Sequence, residues 1–293
     1  MERPPLPAVV LGIPLVLAVA LALFAWPSAR LEPRDLPIGV VGQAPLPAGF
    51  DVHRYDDPAH AQEAVREREV YAAIAGGTLY TASAGSPAVA QSLQQAVEVP
   101  RVVDLVPAPE DDPRGAALSA SVLPLMLTGI LCGLGVSAAV SGLGARALGL
   151  TGAAALAGLA AVAIVQGWLG ALAGGWLLNA GVLALVVVAV GAAVAGAHAL
   201  FGRAGAAAVA VLVVLIGNPW SGISSAPELL PTVAGVTGRL LPPGAGGTLL
   251  RSTAFFDGSG GTGALLVLLA WVAIGFSLLA VAAQPRLAAA TSR

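Results

Sequence analysis

The chain contains no lysine, only one cysteine, and few charged residues of any kind. All 14 basic residues are Arg, and together with the 16 acidic residues they make up 10% of the 293 positions. A soluble globular domain carries about 25% charged residues and about 45–50% apolar ones. With 57% hydrophobic residues, the composition argues against an ordinary soluble protein.

These absences exclude several kinds of chemistry. A phosphate-binding Walker loop needs its Lys to reach the terminal phosphates, and a Schiff-base enzyme needs a Lys amine, so neither is encoded. Cys132 stands alone in an apolar run, which leaves no intrachain disulfide and no thiolate metal cluster. The net charge of −2 gives no sign of nucleic-acid binding. We expect no catalytic, cofactor or metal site.

The charges are concentrated in one segment. Residues 30–115 hold 20 of the 30 charges, and the apolar remainder is long enough for membrane-spanning helices of about 20 residues. The sequence predicts an uncleaved N-terminal anchor (1–29), an α/β domain (30–115) and a five-helix membrane domain (116–293). The six predicted spans are 8–26, 117–143, 150–172, 176–200, 204–220 and 263–283.

Arginine in the short loops predicts the orientation. With a cytoplasmic N-terminus, the inner loops and ends are almost purely basic, with Glu2 as the one acid among Arg3, Arg146, Arg203, Arg286 and Arg293. We therefore expect a multi-pass protein of the bacterial plasma membrane, with both termini cytoplasmic and residues 30–115 extracytoplasmic. Span five is short before Asn218 and Pro219, and its length also suits a re-entrant segment.

Residues 30–115, called the sheet domain below, alternate short apolar runs with helix signals. Strands are predicted at 38–41, 50–55, 70–74, 78–82 and 99–106. Asp57 and Ser86 each precede a Pro, the pattern of a helix N-cap followed by the first helical position. The charged run 63–69 is expected to be a solvated helix face. For His53, Asp56, Asp57 and His60, a cap and solvated side chains explain the pattern better than a metal site.

Other motifs also have simpler explanations. The run 258–263 matches G-x-G-x-x-G but leads into a span, so a flexible loop is the better interpretation. Gly129 with Gly133, and Gly170 with Gly174, have the spacing of tightly packed membrane helices. The polar residues within spans, which are the usual functional candidates in a membrane, are Gln166, Asn179, His198 and Asn218.

Residues 221–262, called the broken segment below, are too apolar for a free loop and too rich in Pro and Gly for a span. Irregular backbone at membrane depth is tolerated where protein or a water-filled cavity covers it. We expect short helices that dip into the outer leaflet, with Pro231 and Pro242-Pro243 as stops.

This layout resembles the type-2 ABC transporter permeases, and within them the bacterial branch of YhgE/Pip-like and related membrane proteins. The runs that carry the resemblance are VYAAI (70–74), ALFG (199–202), GNPWSG (217–222), LLP (229–231), LPPGA (241–245) and LRS (250–252).

The resemblance implies a permease subunit of an ATP-driven exporter, a homodimer or one half of a heterodimer, served by a separate cytoplasmic ATPase. Its implied coupling loop is 141–150 with Arg146. The implied outer path contains Asn218, Pro219, Gly222, Pro231, Pro242, Pro243 and Arg251.

An alternative stays open: a non-transporting membrane scaffold whose outer domain binds a partner or an envelope component. Residues 1–7 are too short for the elbow helix that usually precedes the first span of such permeases, which favours this alternative.

Overall fold

The computed structural model describes residues 6–97 and 100–291. Glu2, Arg3 and Arg293, used above to predict orientation, and Val99, the start of a predicted strand, lie outside the described residues. Five of the described helices are long and apolar enough to cross a membrane, as expected of a multi-pass membrane protein. The α-helices are α1 (Leu6–Ser28), α2 (Pro58–Arg66), α3 (Pro87–Ala96), α4 (Ala116–Ala139), α5 (Leu143–Val162), α6 (Trp176–Val211), α7 (Thr232–Arg239), α8 (Pro242–Phe255) and α9 (Thr262–Thr291).

The sheet domain contains a five-stranded sheet in the order β2-β1-β3-β4-β5. Neighbouring strands are parallel except for the β3–β4 hairpin. Each predicted strand and both predicted helices are present, with ends shifted by up to two residues. The strands are β1 (Leu36–Val41), β2 (Phe50–Tyr55), β3 (Ala72–Ala75), β4 (Thr78–Thr81) and β5 (Arg101–Asp104).

Both predicted helix caps are confirmed. The Asp57 carboxylate accepts hydrogen bonds from the backbone N–H groups of Ala59 at 2.8 Å and His60 at 3.0 Å, and Ser86 caps α3 in the same way. An N-cap side chain satisfies backbone donors that the first helical turn leaves free. The pair His60–Asp57 lies on the surface, with the His side chain 75% exposed.

Helix α6 forms the centre of a bundle with α4, α5 and α9, and α1 packs against the π-helical turn Leu212–Gly217 that follows α6. A Cβ atom on Gly129 would lie 2.7 Å from the Val190 Cβ atom, and one on Gly133 would lie 3.0 Å from the Val194 Cβ atom. Small residues therefore let α4 approach α6 closely, which confirms packing within the bundle for this pair. Gly170 and Gly174 lie in a non-helical stretch, so helix packing was the wrong interpretation for them.

The helical segment that follows Trp176 is interrupted at Gly202, where φ is 63° and ψ is −151°. In a continuous helix, Gly205 would lie about 12 Å along the axis from Ala197. Instead, a Cβ atom on Gly205 would meet the Ala197 carbonyl and would lie 2.8 Å from the Phe201 Cβ atom. The chain therefore turns back on itself at Gly202, between the predicted spans 176–200 and 204–220.

The other span boundaries shift. Helix α5 begins at Leu143 and not at residue 150, because the chain needs only the short turn 140–142 after α4. It continues through a π-helical turn, Ala163–Trp168, and ends before the predicted residue 172.

The broken segment contains a 3-10 turn (Pro227–Leu229), α7 and α8. The prediction of prolines as stops needs correction, because Pro231 is the N-cap of α7 and Pro242 and Pro243 are the first two residues of α8. Proline is tolerated in a first helical turn, where its missing N–H would have no partner.

Helix α8 lies antiparallel to the first half of α6. Near its start, a Cβ atom on Gly246 would lie 2.6 Å from Val186; near its end, the Thr253 hydroxyl donates to Asn179 Oδ1 at 2.9 Å. Val186 is ten residues into α6, about 15 Å along its axis. The broken segment thus dips into the bundle and returns.

The backbone of Gly202 lies in a region that is essentially reserved for glycine. We expect Gly202→Ala to lower the free energy of unfolding by about 1–3 kcal/mol, because no other atom lies within 4 Å of the added Cβ and the effect is backbone strain alone. Denaturant titration of the purified chain in detergent measures it.

Gly181→Ala is the matched control, because this helical glycine of α6 also has open space around its Cβ position. It should be neutral or stabilising by up to about 1 kcal/mol. Equal effects of the two substitutions would contradict a reversal at Gly202.

Candidate functional site

The sheet domain is joined to the broken segment through shared apolar clusters. Phe256, which follows α8, packs in one cluster with Ala61 and Val65 of α2. Leu229 packs in another with Leu36 of β1. The backbone N–H of Arg34 also donates to the Glu228 carbonyl at 2.9 Å. The two parts therefore form one continuous core.

A cavity of about 450 Å³ lies at this junction, within the size range of ligand sites, about 300–1,000 Å³. The sheet domain, the broken segment and the start of α9 all contribute to its wall. Its charged and hydroxyl-bearing lining residues are Arg68, Glu69, Tyr71, Ser221, Ser225, Glu228, Arg239, Thr248 and Arg251.

Arg68 of the sheet domain hydrogen-bonds directly to α8. Its Nη1 donates to the Ser252 hydroxyl at 2.6 Å and to the Thr248 carbonyl at 3.1 Å, and its guanidinium lies 5.0 Å from the centre of the Phe256 ring. Burial lowers the pKa of Arg68. Its φ of 59° is a left-handed conformation that a helix end usually gives to glycine, so the backbone is strained where the side chain enters the cavity.

Arg251 is 6% exposed and projects from α8. Its Nη2 donates to the Ile223 carbonyl; a guanidinium has five N–H donors, and the described residues provide no second acceptor. Burial, and repulsion by Arg68, lower the pKa of Arg251 to about 10, so it stays cationic at neutral pH. Asp112 attracts it more weakly. The carboxylate of Asp112 accepts hydrogen bonds from the Ala116 and Ala117 N–H groups at the start of α4.

Neither arginine forms an ion pair within 4.0 Å of a carboxylate in the ranges 6–97 and 100–291. Buried charges in proteins are normally paired or bound to a ligand. The inside of the cavity therefore carries positive charge without a direct counter-ion.

Of the two carboxylates that line the cavity, Glu228 is the less exposed, and it already has hydrogen-bond partners. Glu228 accepts a hydrogen bond from the Tyr71 hydroxyl at 2.7 Å and pairs with Arg239 at 2.5 Å. Burial, and then the charge of Glu228, raise the pKa of Tyr71, which therefore remains a neutral donor. The bonded residues Tyr71, Glu228 and Arg239 thus form a fixed part of the wall. Arg68 and Arg251 remain as the charged side chains that face the cavity.

The glycine-rich turn 258–263 forms part of the wall and leads into α9. Gly260, Gly263 and Ala264 line the cavity, so the first turn of α9 lies at its edge. Backbone N–H groups of a first helical turn lack partners within the helix and attract anions. The turn follows the end of α8 almost directly and leads into a long apolar helix, so it does not lie between a strand and a helix as the nucleotide-binding motif requires.

Exposed lining residues mark the mouth of the cavity. These exposed lining residues are Glu69, Arg239, Leu240, Gly260 and Gly263. Leu240 is 58% exposed, and its carbonyl accepts a hydrogen bond from the Trp271 indole N–H at 2.9 Å. The mouth thus lies where charged surface meets the apolar surface of α7 and α9.

Of the residues predicted to form an outer path, only some line the cavity. Gly222 and Arg251 line the cavity. The others shape the backbone around it: Pro243 packs against Gly217, and the Asn218 carbonyl accepts from the Ser221 hydroxyl at 2.8 Å. Pro219 lies in the same turn, and Pro231 and Pro242 lie at the helix starts described above. A path role for these residues stays a prediction.

Arg146, predicted in a coupling loop, lies in the first turn of α5 at the opposite end of the bundle. Its Nε donates to the Val140 carbonyl at 3.1 Å and its Nη2 to the Ser137 carbonyl at 3.4 Å. The side chain therefore closes the end of α4, and most of residues 141–150 are helical. Coupling to another protein stays a prediction.

The polar residues within the spans are mainly structural. Asn179 Nδ2 donates to Gln166 Oε1 at 2.9 Å and to the Ala173 carbonyl at 2.7 Å, and its Oδ1 accepts from Thr253 as described above. This network joins α5, α6 and α8. Within the described part of the chain, the Nδ1 atom of His198 has no hydrogen-bond partner.

Sequence reasoning missed Arg68, Tyr71, Glu228 and Arg239. Arg68 was placed on a solvated helix face, but α2 ends at Arg66 and the chain turns there. The available signal was a charged residue between a helix end and a buried strand, which is too weak to identify a site.

We expect Arg68→Ala to lower the free energy of unfolding by about 2 kcal/mol, because hydrogen bonds to a charged group each contribute about 1.5–3 kcal/mol. Alanine keeps the left-handed backbone strain, so relief of strain does not offset the loss. Arg66→Ala is the control, since its pair with Glu63 at 3.5 Å is exposed and contributes less than about 1 kcal/mol. Denaturant titration in detergent compares them, and equal losses would contradict the bridging role of Arg68.

Comparisons of the chain with family models, with curated proteins and with solved structures find no match. The functional assignment therefore depends on the geometry of the junction and on the layout of the chain.

Proposed function

We propose that the chain is the membrane-spanning permease subunit of an exporter driven by a separate ATPase. The observation that carries the proposal is the cavity, which lies where the sheet domain meets a segment of broken helices. Broken helices beside a cavity are a recurring feature of transport proteins, because irregular backbone at membrane depth must be covered by protein or line a cavity.

The layout gives further support. The reversal at Gly202 divides the long helical segment into two halves, so six crossing segments follow if each half crosses. In the proposed orientation the sheet domain and cavity face outward, and Arg146 and Arg203 face the cytoplasm. Since this sequence has no Lys and hence no Walker loop, the proposed energy source is a separate ATPase. Two copies, or this chain with a related one, would frame the path.

A fixed receptor or scaffold is the second candidate. It is favoured by the bonds that fasten the sheet domain, including Ser86 Oγ to the Ser225 carbonyl at 2.5 Å and Tyr71 to Glu228. A receptor that only holds a ligand needs no relative movement of these parts.

Affinity purification of the tagged full chain from native membranes in a gentle detergent tests the proposal. We expect an ATPase subunit to co-purify, and Arg146→Ala to reduce its recovery several-fold. Arg66→Ala, at the opposite end of the molecule, should leave recovery unchanged. If no ATPase is recovered in repeated preparations of intact protein, the exporter proposal fails and the receptor is favoured.

A further inference from the structure

The lining of the cavity carries one more positive charge than negative. Asp112 attracts Arg251 from outside this lining but forms no ion pair with it within 4.0 Å. Arg68, Arg239 and Arg251 contribute three positive charges, and Glu69 and Glu228 two negative ones. Glu228 is bonded to Arg239 and Tyr71, and Glu69 is exposed at the mouth. The interior therefore presents two guanidinium groups.

These groups have the geometry of anion ligands. Arg251 retains N–H donors without acceptors among the described residues, and Arg68 uses only its Nη1 atom. A planar guanidinium can bind two oxygen atoms of a phosphate at once, which the point charge of Lys cannot do. The first turn of α9 adds backbone N–H groups at Gly263 and Ala264 on the same cavity wall.

The mouth indicates how such an anion is presented. Beside Leu240, α7 exposes Val236, and α9 exposes Leu265, Leu266 and Leu269. Since α9 is one of the helices apolar enough to cross a membrane, an apolar chain could lie along this surface while its charged group entered the cavity.

We propose that Arg68 and Arg251 bind the phosphate group of a membrane lipid, which enters the cavity sideways between Leu240 and the start of α9. The chemistry recognised is a phosphate with at least one free negative charge. The inference concerns the ligand of the cavity and stands whether or not the chain works with an ATPase.

The test titrates the purified full chain in detergent and counts bound molecules by native mass spectrometry. Dioleoyl phosphatidic acid and dioleoylglycerol have the same acyl chains but differ in the phosphate. We expect phosphatidic acid to bind at least about tenfold more tightly, as the loss of charged hydrogen bonds implies. Equal affinity for the two lipids would overturn the proposal without any substitution in the protein.

Soluble ligands distinguish the source of the phosphate. We expect inorganic phosphate and glycerol 3-phosphate to bind much more weakly than phosphatidic acid. If glycerol 3-phosphate binds as tightly, the lipid assignment is overturned and the site belongs to a soluble phosphate compound.

Substitutions locate the site. Arg251→Gln and Arg68→Gln should each weaken phosphatidic acid binding about tenfold and leave dioleoylglycerol binding unchanged. The affinity of Arg251→Lys for phosphatidic acid should lie between those of the wild type and Arg251→Gln, because Lys keeps the positive charge but cannot bind two phosphate oxygens at once. Arg66→Gln, which lies outside the cavity, should bind like the wild type. Unchanged phosphatidic acid affinity in folded Arg251→Gln and Arg68→Gln proteins would overturn the assignment to these residues.

Discussion

Arg68 follows the end of α2 and has a strained backbone conformation. Its guanidinium donates hydrogen bonds to the Thr248 carbonyl and the Ser252 hydroxyl of α8. This contact joins the sheet domain to a helix that lies along α6 of the bundle. The strain and the burial of the charge are both unfavourable, so the surroundings must compensate for them. The compensation comes from Phe256 beneath the guanidinium and from the apolar clusters that continue across the junction.

The helix bundle holds α8 through its contacts with α6. Helix α8 can lie beside α6 because glycine at 246 allows close approach and because Asn179 and Thr253 hydrogen-bond across the pair. The reversal at Gly202 frees the chain to return toward the sheet domain and to form the broken segment. The cavity lies between this segment and the sheet domain. Glu228 bonds to Tyr71 and Arg239 in its wall, and among the described residues Arg68 and Arg251 form no ion pair.

Much of the fold could be predicted from local patterns. Asp57-Pro58 and Ser86-Pro87 identified both helix starts of the sheet domain, because capping chemistry is local. The length of the stretches without charged residues identified the apolar helices. It predicted the start of α5 seven residues too late, because hydrophobicity alone does not show how short the turn between two helices can be. Of the residues that line the cavity, Gly222 and Arg251 were among those that the family resemblance implied for an outer path. Sequence reasoning missed Arg68, since burial of that side chain depends on a helix that comes about 180 residues later in the chain.

Whether Arg68 joins the two parts is measured most directly by a double-mutant cycle of Arg68→Ala and Ser252→Ala, with the free energy of unfolding of the full chain in detergent as the readout. Residues in direct contact show coupling of about 0.5–3 kcal/mol, whereas independent residues add to within about 0.5 kcal/mol. A junction built on this contact predicts a coupling of about 1 kcal/mol or more. Additive losses would contradict it and would leave the sheet domain without its principal polar link to α8.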